Sequence, residues 1–347
     1  MLTLKDFDFE LPKELIAAYP APKRSGARLL VVDRGTGQFR HRIFRDIIEY
    51  LKPGDLLVLN NTKVLPARLY GRRPTGGRVE ALLLKAVGGA VWEMLVKPGG
   101  RIKKGTRLVF GENGVALEGE VLDEPRQDSG ARFIQFQGNH FREKLALIGR
   151  TPLPPYIDRP VEAIDRELYQ TVFAEKEGAV ASPTAGLHFD EELLDLLRAK
   201  GVEICFVTLH VSYGTFQPVQ VEDFSKHRMY EEEYEISEKA ARQIAEAKRE
   251  RRRIVACGTT VVRTLETVGA THASPLRPQK GTTRIFIHPP FKFQIADAMI
   301  TNFHIPRSTL LMLVSAFAGR DFIFRAYEEA IRSGYRFYSY GDAMIIL

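Results

Sequence analysis

The sequence predicts a mixed α/β fold interrupted by a small β-barrel, and three observations carry that reading. Apolar strand-like runs alternate with helix-period segments over residues 1–67, and the alternation resumes after residue 151. Between Arg68 and Gln137 the texture changes: turn signals recur roughly every 8–12 residues and the helical period is lost. Finally, 347 residues exceed one ordinary hydrophobic core, so two domains are expected. A discontinuous α/β domain over 1–67 and 151–347, with a barrel inserted over 68–150, satisfies all three.

In the first segment, Leu11 to Tyr19 starts like a helix with Pro12 in its first turn. Leu29 to Asp33 is a short buried strand, Ile43 to Leu51 has helical spacing, and Asp55 to Leu59 is a second strand. In the inserted segment, glycine-rich turns at Gly76, Gly88, Gly99, Gly105 and Gly114 punctuate strand runs such as Val79 to Leu84 and Trp92 to Val96. A helical stretch from His140 to Ile148 closes it. Beyond it, Asp190 caps a helix running to Lys200, Glu191 and Glu192 suit its positive end, and Gly201 stops it. A strand from Val202 to Val211, a Ser237-capped helix to Glu250, and a strand from Arg253 to Cys257 follow. Gly258-Thr259-Thr260 opens the next helix. Ala298 to Phe303 reads as a strand, with helices near 308–318 and 321–333 and a final aromatic strand, Tyr335 to Tyr340.

The totals exclude several classes. No apolar run approaches the roughly 20 residues that span a bilayer, and the first ten residues have early acids and no hydrophobic core of a signal peptide. A cytoplasmic protein is expected. Cys205 and Cys257 each sit in an apolar strand, which predicts buried free thiols. No Cys/His spacing suits zinc, so no metal is expected. No dinucleotide fingerprint, phosphate-binding loop or nucleophile elbow occurs. Lys plus Arg exceeds Asp plus Glu by 7, a modest excess that favours a polyanionic partner without requiring one.

Chemistry concentrates at strand ends, where α/β proteins place ligands. Val180 to Asp190 brings Ser182, Thr184, Gly186 and His188 to a helix start, an arrangement able to bind a polar ligand. Taken alone, the plainer reading is a capped turn whose hydroxyls satisfy local amides. Asn60 and Asn61 follow one strand, either as a turn or as binding groups. His210 ends another, where a hydrogen-bonded core histidine is the plainer reading, and Ser212 to Thr215 reads as a loop entering a site. Thr259 and Thr260, with Arg263 one turn on, suit an anion or a nucleoside hydroxyl. Asn302 and His304 repeat the arrangement. Cations cluster at Arg101, Lys103, Lys104 and Arg107, on an expected barrel hairpin, and again from Lys248 to Arg253. Either cluster is a solvated face or a set of phosphate contacts.

Together these motifs resemble a known family. The segments Tyr19 to Leu30, Gly54 to Arg68, Pro152 to Arg159, Asp165 to Phe173, Pro183 to Phe189, Phe206 to Val211, Gly214 to Pro218, Gly258 to Arg263, Thr301 to His304, Ser308 to Gly319 and Tyr338 to Met344 are similar to the S-adenosylmethionine:tRNA ribosyltransferase-isomerases of queuosine biosynthesis. They run in order through nearly the whole chain; the segment from about 70 to 148 matches loosely. Departures fall at Ser212, Tyr213, Tyr230, Val262 and Pro290.

The resemblance implies that the inserted barrel is a Greek key. It implies transfer and isomerisation of the ribosyl moiety of S-adenosylmethionine onto 7-aminomethyl-7-deazaguanine at the tRNA wobble position. The products are epoxyqueuosine-tRNA, adenine and methionine. S-adenosylmethionine is then a co-substrate, no cofactor is needed, and a monomer is expected. The route starts by removing a proton beside the sulfonium, so a general base is required. On motif position His188 and His210 lead as that base and His304 follows. Asn60, Asn61, Thr184, Gly186, Thr259, Thr260, Arg263 and Asn302 are expected to bind substrate. Arg68, Arg101, Lys103, Lys104 and Arg159 are expected to meet RNA. Two competing classes are a non-catalytic tRNA-binding module and a small-molecule transferase indifferent to RNA.

Overall fold

Residues 2–111, 114–126, 130–212, 214, 221, 223–269 and 277–347 are described by a computed structural model. The first segment forms β1 (Arg28–Asp33), β2 (Gln38–Ile43), the one-turn helix α1 (Ile47–Tyr50), β3 (Leu56–Asn60) and β4 (Thr62–Val64). The inserted segment forms β5 (Arg68–Arg72), β6 (Arg78–Gly88), β7 (Val91–Lys97), β8 (Arg107–Phe110), β9 (Leu117–Val121), β10 (Arg132–Phe136) and α2 (Phe141–Ile148). Next come α3 (Asp165–Leu168), β11 (Lys176–Ala179), α4 (Glu191–Ala199), β12 (Glu203–Leu209), β13 (Glu232–Ile236) and α5 (Glu238–Arg249). The chain ends with β14 (Ile254–Cys257), α6 (Thr259–Gly269), β15 (Gln279–Thr283), β16 (Ala298–Asn302), α7 (Thr309–Ala318), α8 (Arg320–Arg332) and β17 (Ala343–Ile346).

Nine strands build the main sheet in the order β15-β13-β12-β3-β14-β16-β17-β1-β2. Its centre, β12-β3-β14-β16, is parallel, and antiparallel pairs flank it. Both faces are covered, which is why the central strands are apolar throughout rather than alternating. Leu56 and Val58 of β3 pack under α5 to α8, while Leu57 and Leu59 pack under α1 and α4. Cys205 and Cys257 are buried free thiols on this sheet. The helix starts behave as their caps dictate: Asp190 Oδ1 accepts from the Leu193 amide at 2.9 Å, and Ser237 Oγ accepts from the Ala240 amide at 3.2 Å. Each such cap contributes about 1 kcal/mol.

The six inserted strands close into a barrel, β10-β7-β6-β5-β8-β9. Strands β5 to β7 and β8 to β10 each run up and down, but β8 lies beside β5 instead of β7. The link from β7 to β8 therefore crosses the barrel end, which makes the barrel a Greek key. This corrects one expectation: Arg101, Lys103 and Lys104 lie on that crossover, not on a hairpin. The glycines there signal a turn but do not say which strands it joins. Close approach of β5 to β8 requires Gly71, where an added Cβ would lie 2.2 Å from the Val109 carbonyl oxygen. The chain enters and leaves the insertion at one point, where Arg68 and Arg150 exchange backbone hydrogen bonds of 3.1 and 2.8 Å.

Two further expectations are corrected. Only Lys13–Leu15 of the Leu11–Tyr19 segment is helical, and Ile16 instead bridges to Phe337. Tyr335 to Tyr340 is a buried turn, not a strand: Tyr338 has φ of 71°, and the Gly341 amide closes on the Tyr338 carbonyl at 3.0 Å. The strand of this region is β17, inserted between β16 and β1. Strands β2, β13 and β15 are rich in charged and polar residues, with only Phe39, Ile43, Tyr234 and Ile236 apolar, so the sequence announces them weakly. Among the described residues, no helix is long and apolar enough to cross a membrane.

Candidate active site

The parallel strands β3, β12, β14 and β16 end on one side of the sheet, and an open cleft of about 700 Å³ lies there. Ser182 and Thr184 line it from the loop after β11, Thr259 and Thr260 from the start of α6, and Asn302 and His304 from the exit of β16. Tyr156, Ser308 and Tyr338 complete the walls.

Local chemistry fixes each contributor. The loop over 180–188 is tied down where the Val180 amide meets the Val211 carbonyl at 3.0 Å and the Gly186 amide meets the Pro183 carbonyl at 2.8 Å. Arg24 clasps it from behind, donating to the carbonyls of Leu187 at 3.2 Å and Glu167 at 3.0 Å. Gly258 has φ of 96°, a left-handed turn that a glycine makes without strain, and its amide reaches the Ile300 carbonyl at 2.7 Å. That turn places the amino end of α6, with its unshared amides, at the cleft.

Asn302 and the histidines decide the electrostatics. Asn302 Nδ2 donates to the Tyr338 carbonyl at 3.1 Å and to His188 Nε2 at 3.2 Å. Because the carbonyl can only accept, the amide orientation is set, and Asn302 Oδ1 points elsewhere. Among the described residues, neither Asn302 Oδ1 nor Ser182 Oγ, both buried, has a hydrogen-bond partner. Buried polar atoms are normally satisfied, so two orphans on residues lining one cleft mark positions that a ligand or an ordered water would satisfy. His304 Nε2 pairs with Thr301 Oγ1 at 2.9 Å, and burial pushes its pKa down to about 3. His188 is pushed down to about 4, again chiefly by burial. Both imidazoles are neutral at pH 7.

The other expected residues lie elsewhere. His188 is not on the cleft wall; it stands behind Asn302, against the Phe44 ring at 4.9 Å. His210 lines a second cleft, about 1110 Å³, that also meets Trp92 and Glu232. Its Nδ1 pairs with Thr62 Oγ1 at 2.8 Å, and burial lowers its pKa. The two clefts share Val211. Gly186 is a packing glycine, where a Cβ would lie 2.9 Å from Phe173 and Thr171 carbons. Asn60 stands behind the cleft: its Nδ2 donates to the Leu209 carbonyl at 3.0 Å and to Thr260 Oγ1 at 3.3 Å, and its Oδ1 accepts from the Thr62 and Leu209 amides at 3.1 Å. Asn61 joins Glu175 at 2.9 Å and Thr208 at 2.7 Å. Arg263 forms a buried ion pair with Glu232.

Of the residues expected to meet RNA, Arg101, Lys103 and Lys104 are exposed. Arg68 pairs with Glu80 and with the Leu153 carbonyl at 3.0 Å. Arg159 grips Asp165 through both terminal nitrogens, at 2.8 and 2.5 Å, beneath the Tyr19 ring. Within the Lys248–Arg253 run, Arg252 and Arg253 pair with Glu203 and Asp55. The segment from Thr215 to Pro218, and Tyr213 before it, lie outside the described residues. Ser182 belongs to the loop expected to bind a polar ligand, whereas Tyr156 and Tyr338 are not among the expected binding residues. Each sits beside or within a recognisable motif, but nothing in the sequence turned them toward one another.

Fold and site thus define a mixed α/β protein with a ligand cleft at its parallel strand ends and a Greek-key barrel inserted beside it. A family model described as "Queuosine biosynthesis protein" matches residues 4–346. A relative from Thermosipho africanus is 52% identical over 99% of this chain and 100% of its own, and is named S-adenosylmethionine:tRNA ribosyltransferase-isomerase. One from Thermotoga maritima, with the same name, is 51% identical over 100% of both chains. A crystal structure of the S-adenosylmethionine tRNA ribosyltransferase from Thermotoga maritima matches with 41% identity and a TM-score of 0.56, covering 99% of this chain and 100% of that one. The chain belongs to this family of queuosine-biosynthesis enzymes.

Proposed function

We propose that this chain moves the ribosyl part of S-adenosylmethionine onto the aminomethyl group of a 7-deazaguanine at the wobble position of tRNA, isomerises it to an epoxycyclopentane, and releases adenine and methionine. The carrying observation is that Ser182 and Asn302 line the same cleft as the amino end of α6, and each keeps a buried oxygen, Ser182 Oγ and Asn302 Oδ1, without a partner among the described residues. Ribose hydroxyls both donate and accept, and so suit the two orphans. The methionine carboxylate suits the α6 amides with the Thr259 and Thr260 hydroxyls.

His304 is the proton acceptor in this reading, being the one of the three expected histidines on the cleft wall. With its proton on Nε2, donated to Thr301 Oγ1, the lone pair lies on Nδ1. A pKa near 3 makes it a weak base, so the sulfonium must supply most of the acidity of the neighbouring C–H. His188 is a positioning residue for Asn302. We divide the chain into a catalytic domain, 1–67 with 151–347, and a barrel domain, 68–150, whose exposed crossover meets RNA phosphates. The reading assigns no cofactor or metal, and it takes the enzyme as a cytoplasmic monomer. The test is adenine release from S-adenosylmethionine. It should require tRNA carrying the aminomethyl deazaguanine; equal release with unmodified tRNA, or with the free base, would sink the proposal.

A further inference from the structure

Among the described residues lining the cleft assigned to a sulfonium cation there is no carboxylate. Among its described lining side chains none is formally charged: they are hydroxyls, one amide, one imidazole, aliphatic groups and aromatic rings. A cation entering such a site loses hydration and must recover it from neutral groups. For a soft cation the best neutral partner is an aromatic face.

Two motifs left without a role converge there. Tyr156 and Tyr338 both line the cleft, with ring centroids 4.3 Å apart and planes at 28°. The pair is held in place. Tyr156 OH and Ser339 Oγ lie 2.6 Å apart. Tyr338 adopts a left-handed backbone, φ 71°, a conformation that residues with a Cβ disfavour. It is kept there by its amide on the Phe303 carbonyl at 3.1 Å and by Asn302 Nδ2 on its own carbonyl at 3.1 Å. The cleft-lining residue with an orphan oxygen therefore also sets the ring.

We infer that Tyr338, backed by Tyr156, is the specificity-determining residue that reads the positive charge of the sulfonium donor through its ring face. The inference rests on the donor proposed above. It also fits the uncharged lining formed by the described residues. Proton loss beside the sulfur turns the cation into a neutral ylide, with the proton passing to the base. An adjacent anion would stabilise the cationic ground state more than the transition state and slow the step. A ring face selects the cation while leaving its C–H acidic.

The experiment compares calorimetric binding of S-adenosylmethionine and S-adenosylhomocysteine, which lacks the methyl group and the charge, with and without tRNA. Tyr338→Leu should weaken S-adenosylmethionine about tenfold or more and S-adenosylhomocysteine less than about threefold. Tyr338→Phe, which keeps the ring, should hold both within about threefold. Equal weakening of the two ligands overturns the inference, since the ring would then only pack on their shared nucleoside; so does no weakening of either. If Tyr338→Leu does not fold, Tyr156→Leu carries the same comparison under the same criteria. Wild-type protein that binds neither ligand would instead refute the donor reading, and this inference with it.

Discussion

Asn302 Nδ2 lies 3.2 Å from His188 Nε2, and this contact gives the buried histidine a structural task. The imidazole accepts one amide hydrogen, the Tyr338 carbonyl accepts the other, and Asn302 Oδ1 is left without a partner among the described residues. His188→Ala should therefore lower kcat/KM about tenfold or more, while His188→Gln, which can still accept, should stay within about fivefold of wild type. A Gln variant as slow as removal of a general base, roughly 10²-fold or more, would make His188 a proton acceptor in its own right.

The same burial makes stability depend on pH. His188 and His304 have native pKa values near 4 and 3, below the ordinary value of 6.5, so the unfolded chain binds more protons between those limits. Stability is then fully present above about pH 6.5 and falls as pH drops through the window toward 4 and 3. Each tenfold change in proton affinity between the folded and unfolded chain is worth about 1.4 kcal/mol, so protonation of His188 costs on the order of 3 kcal/mol. Urea midpoints at pH 7 and pH 4.5 check the sign, and His188→Gln should flatten the slope.

Ser182 Oγ is buried without a partner among the described residues. Ser182→Ala should thus leave the melting temperature unchanged or slightly higher, because no protein hydrogen bond is lost. It should weaken S-adenosylmethionine binding about three- to tenfold, the worth of one neutral hydrogen bond. A lower melting temperature with unchanged binding would place the hydroxyl in the scaffold instead.

Gly186 tests packing against recognition. A methyl there meets Phe173 and Thr171 at 2.9 Å, and Phe173 is itself held against Phe206 at 5.7 Å. Gly186→Ala should destabilise the fold by about 1–3 kcal/mol in denaturant titrations. Loss of cosubstrate affinity at unchanged stability would contradict the packing role.

Salt dependence separates the arginines. Replacing Arg101, Lys103 and Lys104 together by Ala should weaken tRNA binding and reduce the slope of log Kd against log salt by about 2 to 3. Arg159→Ala should leave that slope unchanged but cost about 3–5 kcal/mol of stability, because Asp165 is fully buried and would lose its partner. An unchanged slope in the triple variant would remove the crossover from the RNA interface.

Much of this molecule is legible in its sequence because its strongest signals are local. Asp190 and Ser237 cap helices through their own neighbouring amides, and the apolar runs at Leu56 and Ile254 form strands wherever they pair. The candidate site is legible only as parts. Thr184, Thr259, Thr260, Asn302 and His304 reach one cleft as their motifs imply. Asn60, Arg159 and Arg263 belong to equally distinctive motifs, yet most of their polar groups bond the scaffold; Asn60 reaches the cleft only through Thr260 Oγ1, and Arg263 keeps Nη2 without a partner among the described residues. A motif records that a residue type matters, and a buried structural pair demands its residue types as strictly as a ligand does.

By itself, then, the sequence determined where the capped helices and the most apolar strands lie, that a barrel interrupts an α/β chain, and to which family the chain belongs. Those properties follow from caps, periodicity and motif order, all read along the backbone. Only the tertiary structure decided that β7 crosses to β8, that Tyr335–Tyr340 turns instead of extending, and that Tyr156 meets Tyr338 from the far side of the β11–β16 region. Pairing, side-chain facing and hydrogen-bond satisfaction depend on neighbours far away in the chain. They are settled by how the whole core closes, and that closure carries Asn302, His188 and Tyr338 to one place.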